Sequence, residues 1–170
     1  MPFTPFHLGP GLLVGLVCGR RLDLPATLAA SVLVDIRTAL VFFSVLDGPL
    51  HGPLHTLLGA TLLAGVLTAA ALPLRPLSGA VLESLRIPHS PPPVRIAAGA
   101  LVGAWLHVFL DAVLYLDVQP FAPVSAANPA LGLVGPLSVY LGCVVVGLLG
   151  LCLYAASLLG LVALPDPDPA

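Results

Sequence analysis

Apolar runs of about 20 residues, broken by prolines and nearly free of charge, decide what this chain can become. Such runs cannot be packed away inside a chain of 170 residues. In a bilayer, by contrast, they need only bond their own backbone groups, which leaves helices or a closed barrel. The runs do not alternate as barrel strands do, so helices are expected. Composition agrees, with 8% charged residues and a mean hydropathy of +1.07 where soluble domains carry roughly 25% charged residues. The expected fold is all-α: a polytopic transmembrane bundle of about five spans forming one domain over residues 1–164.

The spans are read at about 7–19, 26–46, 51–72, 95–116 and 134–164, the first short and the fifth long enough to bend near Gly147 or Gly150. Prolines set most boundaries, among them Pro25, Pro49, Pro53, Pro73, Pro76, Pro91 to Pro93, Pro120 and Pro136. Residues 165–170 read as a disordered, solvating acidic tail. Every basic residue is an arginine. Arg20 and Arg21 follow the first span, and Arg75, Arg86 and Arg95 lie in or beside the loop after the third. The bias of arginine toward cytoplasmic loops then predicts a multi-pass protein of the plasma or inner membrane, N-terminus outside and C-terminus cytoplasmic. No basic side chain precedes the first apolar run, which argues against a cleaved signal peptide. The net charge of −2 carries no message about nucleic acid, and without a basic patch to bind one no nucleic-acid partner is expected. Cys18, Cys143 and Cys152 lie inside apolar segments without a CxxC pair and read as small buried thiols.

Against this background the polar residues form a pattern. His7-Gly11-Gly15-Gly19, His51-His55-Gly59 and, in reverse, Asp111-His107-Gly103-Gly99 each advance by four residues. Each series is one stripe on a helix, with ligand-type groups at one end and bare backbone at the other. On the expected topology His7, His51, His55, His107 and Asp111 share the outer half of the bilayer, and Asp35 near the middle of the second span can reach them. Small residues at four-residue steps let membrane helices approach closely. The glycine ends of the first and fourth spans are therefore expected to pack together beneath the polar ends. His89 falls in the cytoplasmic loop, apart from the group.

An ionisable residue inside a membrane is costly and normally faces the bundle interior with a partner. Asp35 and Arg37, two residues apart, point to different sides of a helix and so need partners on other segments. Thr27 and Ser31 extend the polar face of Asp35 at four-residue steps. His51 with His55, and His107 with Asp111, have the i, i+4 spacing that lets two side chains share a cation. Imidazole and carboxylate without thiolate suit zinc, with manganese or iron as alternatives.

The run Thr4-Pro5-Phe6-His7-Leu8-Gly9, then Asp35, then Leu54-His55-Thr56-Leu57-Leu58, then Leu106-His107-Val108-Phe109-Leu110-Asp111, resembles the YdjM-like predicted membrane-bound metal-dependent hydrolases. These are also described as LexA-binding inner-membrane-associated hydrolases. The family carries an early His, a P-D-x-D motif, an H-R-G-x-T-H-S motif and a late S-H-x-x-x-D motif; Pro120-Phe121-Ala122-Pro123 resembles its P-F-x-P loop. The resemblance covers about residues 4–123. Arg37 stands where the family has a second acid, Leu54 where it has a threonine, and the histidines of His51-Gly52-Pro53-Leu54-His55 are four apart instead of five.

The resemblance implies a metal-dependent hydrolase. Its divalent metal would be held by ligands drawn from His7, Asp35, His51, His55, His107 and Asp111, with Asp35 as ligand or general base and Arg37 toward an anionic group. A site near the headgroups suggests membrane lipid as partner and a lipid-like ester or phosphoester as substrate. Two alternatives stay open: a proton- or ion-coupled transport protein using the same Asp/His cluster, whose symmetry a homo-oligomer could supply, and a catalytically degenerate structural membrane protein.

Overall fold

The computed structural model describes residues 5–87, 89 and 91–165. The acidic tail expected at 165–170 lies, beyond Pro165, outside the described residues. The helices are α1 (Pro5–Val17), α2 (Leu24–Leu33), α3 (Ile36–Phe42), α4 (Leu57–Ser84), α5 (Pro93–Leu114) and α6 (Pro136–Leu158), with a 3-10 turn at Pro53–His55 and no strand among the described residues. With α2 and α3 counted as one broken helix over Leu24–Phe42, four helices are long and apolar enough to cross a membrane, and α1 is a shorter fifth. The all-α bundle expected from composition is therefore what the chain forms.

Local chemistry explains most of the helix starts. Asp23 caps α2, its Oδ2 accepting the Ala26 N–H at 3.0 Å, with Pro25 in the first turn. Thr56 caps α4 by accepting the Gly59 N–H at 2.9 Å. Pro93 opens α5 and Pro136 opens α6. Gly160, at φ +72°, follows the last turn of α6 in the left-handed region that terminates helices.

Helix α5 occupies the centre, with half of its spanning window buried, whereas α4 and α6 bury only 11% of theirs and turn leucine and valine faces outward. The main core is made of small side chains (Ala26, Ala30, Ala60, Ala64, Ala100 and Ala104, with Val34, Ile96 and Val108) where α2, α4 and α5 meet. A smaller cluster of Leu16, Leu24 and Leu82 closes the other end.

Four boundaries differ from the sequence expectation. The second span is broken at Val34–Asp35, where the Asp35 N–H bonds the Val32 carbonyl at 3.1 Å and regular bonding resumes in α3. The third begins at Leu57, not 51, because Thr56 supplies the cap; His51 and His55 lie in the turn before the helix, not on one helical face. It also runs through Pro73 and Pro76 to Ser84 instead of ending near 72. Two missing donors kink or weaken a helix without ending it when packing holds the next turns; Leu82, buried against Leu16 and Leu24, supplies that packing. The fifth ends at Leu158 and is one continuous helix past Gly147 and Gly150.

The glycine stripes also pack differently from the expectation. Those of α1 and α5 meet α2, not each other. A Cβ on Gly11 would lie 2.7 Å from Ser31 Oγ and one on Gly15 2.5 Å from Leu24 Cδ1, while on the other face of α2 a Cβ on Gly99 would lie 2.6 Å from the Asp23 carbonyl and one on Gly103 would collide with the Thr27 carbonyl. Helix α2 is thus clasped between two glycine faces. Thr27 and Ser31, expected to extend a polar face, bond the carbonyls of Asp23 and Thr27, each at 2.8 Å, and line those contacts.

Candidate metal centre

Five parts of the chain deliver side chains to one buried spot. His7 comes from the first turn of α1, Asp35 from the break between α2 and α3, His51 from the loop before α4, and His55 from the 3-10 turn. His107 and Asp111 come from the last two turns of α5. All six residues are buried, His107 and Asp111 completely.

Asp111 lies at the middle. Its Oδ1 is 3.2 Å from His7 Nε2, and its Oδ2 is 3.2 Å from His107 Nε2, 3.3 Å from His55 Nε2 and 3.9 Å from His51 Nε2. Asp35 Oδ1 is 3.2 Å from His55 Nε2 and 3.5 Å from His107 Nε2. The rings of His7 and His107 stack, centroids 3.9 Å apart and planes 16° apart. His55 stands edge-on to His107 and to His51.

Despite these approaches both Asp111 oxygens, His107 Nε2 and His51 Nε2 make no hydrogen bond. Buried polar atoms are normally bonded, and a cluster of exceptions requires an explanation. The tautomers sharpen the point. The Ser31 carbonyl, 2.7 Å from His107 Nδ1, can only accept, so Nδ1 carries the proton. On a neutral ring Nε2 is then a bare lone pair facing two carboxylates. Acceptor against acceptor in a dry site is repulsive unless a cation lies between them.

The spacing suits such a cation. Ligand atoms about 2.0–2.1 Å from a tetrahedral zinc stand about 3.3 Å from one another. The four Asp–His separations among Asp35, His55, His107 and Asp111 are 3.2, 3.3, 3.5 and 3.2 Å. One ligand atom from each of these residues lies within 4.8 Å of all the others. This group could hold a metal ion. His7 and His51 stand at its edge, each reaching it through Asp111.

Arg37 lies beside this group, not within it. Its Nη1 donates to the Pro49 carbonyl at 2.7 Å, and its guanidinium fills the place where a Cβ on Gly52 would sit. With Thr38 Oγ1 donating to the Leu50 carbonyl at 3.1 Å, it straps down the loop that carries His51. His89, left out of the group on sequence grounds, pairs with Asp23 at the opposite end of α2.

The sequence reading missed Asp117. Its Oδ1 accepts from His51 Nδ1 at 2.8 Å, and Tyr115 stacks on the same imidazole at 4.4 Å. Partial burial pushes the Asp117 pKa up, but the His51 contact outweighs it and holds the carboxyl below the usual carboxylate range. Nothing in the spacing announces this pairing, because the two residues are 66 positions apart.

No family model matches the chain, and neither a curated protein nor a solved structure does.

Proposed function

We propose that this protein is a membrane-embedded metal-dependent hydrolase of the YdjM-like kind, with a divalent ion, zinc first, held by Asp35, His55, His107 and Asp111. The observation that carries this reading is the close spacing of those four candidate ligands, all within 4.8 Å of one another, around an uncompensated lone pair. Imidazole and carboxylate ligands also fit manganese and iron. When bound, such an ion lowers the pKa of a coordinated water and polarises an ester or phosphoester oxygen. Water would add at the acyl carbon or phosphorus, the ester bond to oxygen would break, and the leaving alcohol would take the proton. Asp35, as ligand or general base, would accept a proton from the attacking water. Arg37, on α3 and bonded to the loop that carries His51, would meet an anionic substrate group.

A lipid-like substrate is favoured by the surroundings. A groove of about 590 Å³ runs from His51 and Asp117 past Pro53 and Thr56 to Leu58 and Leu62 on the outer face of α4. It joins the rim of the centre to a surface that faces acyl chains when α4 spans a bilayer. In the proposed topology this end faces outward from the plasma or inner membrane.

The test uses the full chain purified in detergent, assayed for metal content and for turnover of p-nitrophenyl esters and bis-p-nitrophenyl phosphate, before and after zinc reconstitution. The reading expects about one metal per chain, and zinc-dependent turnover that His55→Ala and Asp111→Ala abolish. A chain that takes up no metal sinks it. Proton or ion flux in liposomes without turnover would instead assign the same Asp/His cluster to transport.

A further inference from the structure

We propose that Asp117 is a positioning residue for the metal centre: it takes the Nδ1 proton of His51 and so presents the bare Nε2 of that ring to Asp111, as a further ligand at the rim. The inference rests on the metal reading above and adds a residue which that reading does not contain.

The geometry is that of a histidine being aimed. His51 has a 3% exposed side chain, yet it belongs to a loop, which by itself leaves a ring free to rotate. Three contacts remove that freedom. Asp117 Oδ1 takes Nδ1–H at 2.8 Å, Asp117 Oδ2 accepts the His51 backbone N–H at 3.4 Å, and Tyr115 stacks on the ring. What they leave is Nε2, without a hydrogen bond and 3.9 Å from Asp111 Oδ2.

His107 follows the same plan by a different route. Its Nδ1 donates to a backbone carbonyl, and its Nε2 turns inward, bare. Two imidazoles from unrelated segments thus share one tautomer, each fixed by an oxygen behind it. A carboxylate or carbonyl behind a ligating histidine sets the tautomer and raises the basicity of the inward nitrogen. Without Asp117 the His51 ring would be free to take the other tautomer and point an N–H at the centre. That form cannot ligate.

Position adds a consequence. Asp117 is 45% exposed, and both it and His51 line the groove that leads outward along α4. The His51 arm is therefore the side on which the buried centre meets open space, and loosening it should speed metal loss.

The experiment uses the full chain in detergent micelles with cobalt(II) and zinc(II) as probes. Affinity is read by chelator competition, geometry by the visible cobalt spectrum, and the His51 tautomer by nitrogen NMR. Asp117→Ala is expected to weaken binding by about 10–100-fold, to change the cobalt bands, and to shift His51 away from the Nδ1–H form. Asp117→Asn, whose amide oxygen still accepts from Nδ1 but carries no charge, should fall between, and Asp117→Glu should restore part of the affinity. If Asp117→Ala fails to fold, the Asn and Glu variants carry the test. Wild-type affinity and an unchanged cobalt spectrum in Asp117→Ala and Asp117→Asn would overturn the role of Asp117 while leaving the metal reading intact. A wild-type chain that binds neither ion overturns both.

Discussion

Two histidine–aspartate groups sit at opposite ends of α2 and α5, roughly 18 Å apart along α2 at 1.5 Å per residue. At the Asp23 end the acid is fully used. Its Oδ2 caps Ala26 at 3.0 Å and its Oδ1 takes His89 Nε2 at 2.7 Å. Its N–H bonds the Arg95 carbonyl at 3.1 Å, and its own carbonyl serves both Thr27 donors. At the Asp111 end four imidazole nitrogens approach the two oxygens within 3.9 Å, yet neither oxygen accepts a hydrogen bond. Both ends are buried histidine against carboxylate. The satisfied one is a clasp tying the segment before α5 to the start of α2; the other belongs to the group that could hold a metal ion. The number of acceptors left without donors tells them apart, and burial does not.

The largest effect expected from this contrast is on metal content. Asp111→Ala or His107→Ala should remove metal binding, a loss beyond the roughly 100-fold upper figure for outer partners of a ligand. His89→Ala should leave metal content at the wild-type level. Elemental analysis of the purified variants decides it, and metal loss in His89→Ala would erase the distinction between the two ends.

Next is the linkage of metal to stability. An ion that binds only the folded chain at about 100 times its dissociation constant adds about 2.7 kcal/mol. Chelation should therefore lower the melting temperature of the wild type and leave that of Asp111→Ala where it was. Equal shifts in the two would mean that the ion stabilises the protein somewhere other than this cluster.

How much of this could be read from the sequence follows from what each feature depends on. The spans and the candidate ligands were legible because polar groups are so rare in this chain that their positions carry information. Where His51 and His55 would lie was not, since His-Gly-Pro-Leu-His imitates helical spacing; the Thr56 cap was the available signal that the helix begins later. The break at Asp35 has neither glycine nor proline to announce it. Pro73 and Pro76 suggest a helix end that packing overrides. The glycine stripes showed that helices approach closely but not which ones, because a stripe has no partner's name in it. Asp117 depends on a contact across 66 residues and was invisible.

The glycines offer a third, smaller effect. Asp35 reaches the centre from α2 and His107 and Asp111 from α5, so their distances depend on how closely those helices pack. Gly103→Leu must push against the Thr27 carbonyl. Overpacking of this kind costs about 1–3 kcal/mol, and spreading α2 from α5 should weaken metal binding as well. Gly65→Leu, with nothing within 4 Å of its Cβ, is the control and should stay within about 0.5 kcal/mol of the wild type. Unfolding titrations with metal affinity measured alongside check both. A Gly103→Leu protein with unchanged stability and affinity would show that the α2–α5 contact does not set the ligand spacing.

The smallest effect belongs to the clasp. Asp23→Ala removes the cap of α2, which typically costs about 1 kcal/mol, and frees His89. Asp23→Asn keeps a side-chain oxygen for Ala26 and should recover most of the cap, so the difference between the two variants isolates it from the His89 contact. Neither should alter metal content, because nothing at this end points into the ligand set. Hydrogen exchange at the first turn of α2 would show the loss locally, with protection falling at Ala26 and Thr27 and unchanged near Asp35. If protection instead fell along the whole helix to Asp35 and metal content dropped with it, the two ends would be one cooperative unit, and the clasp would be helping to hold the ligands in place.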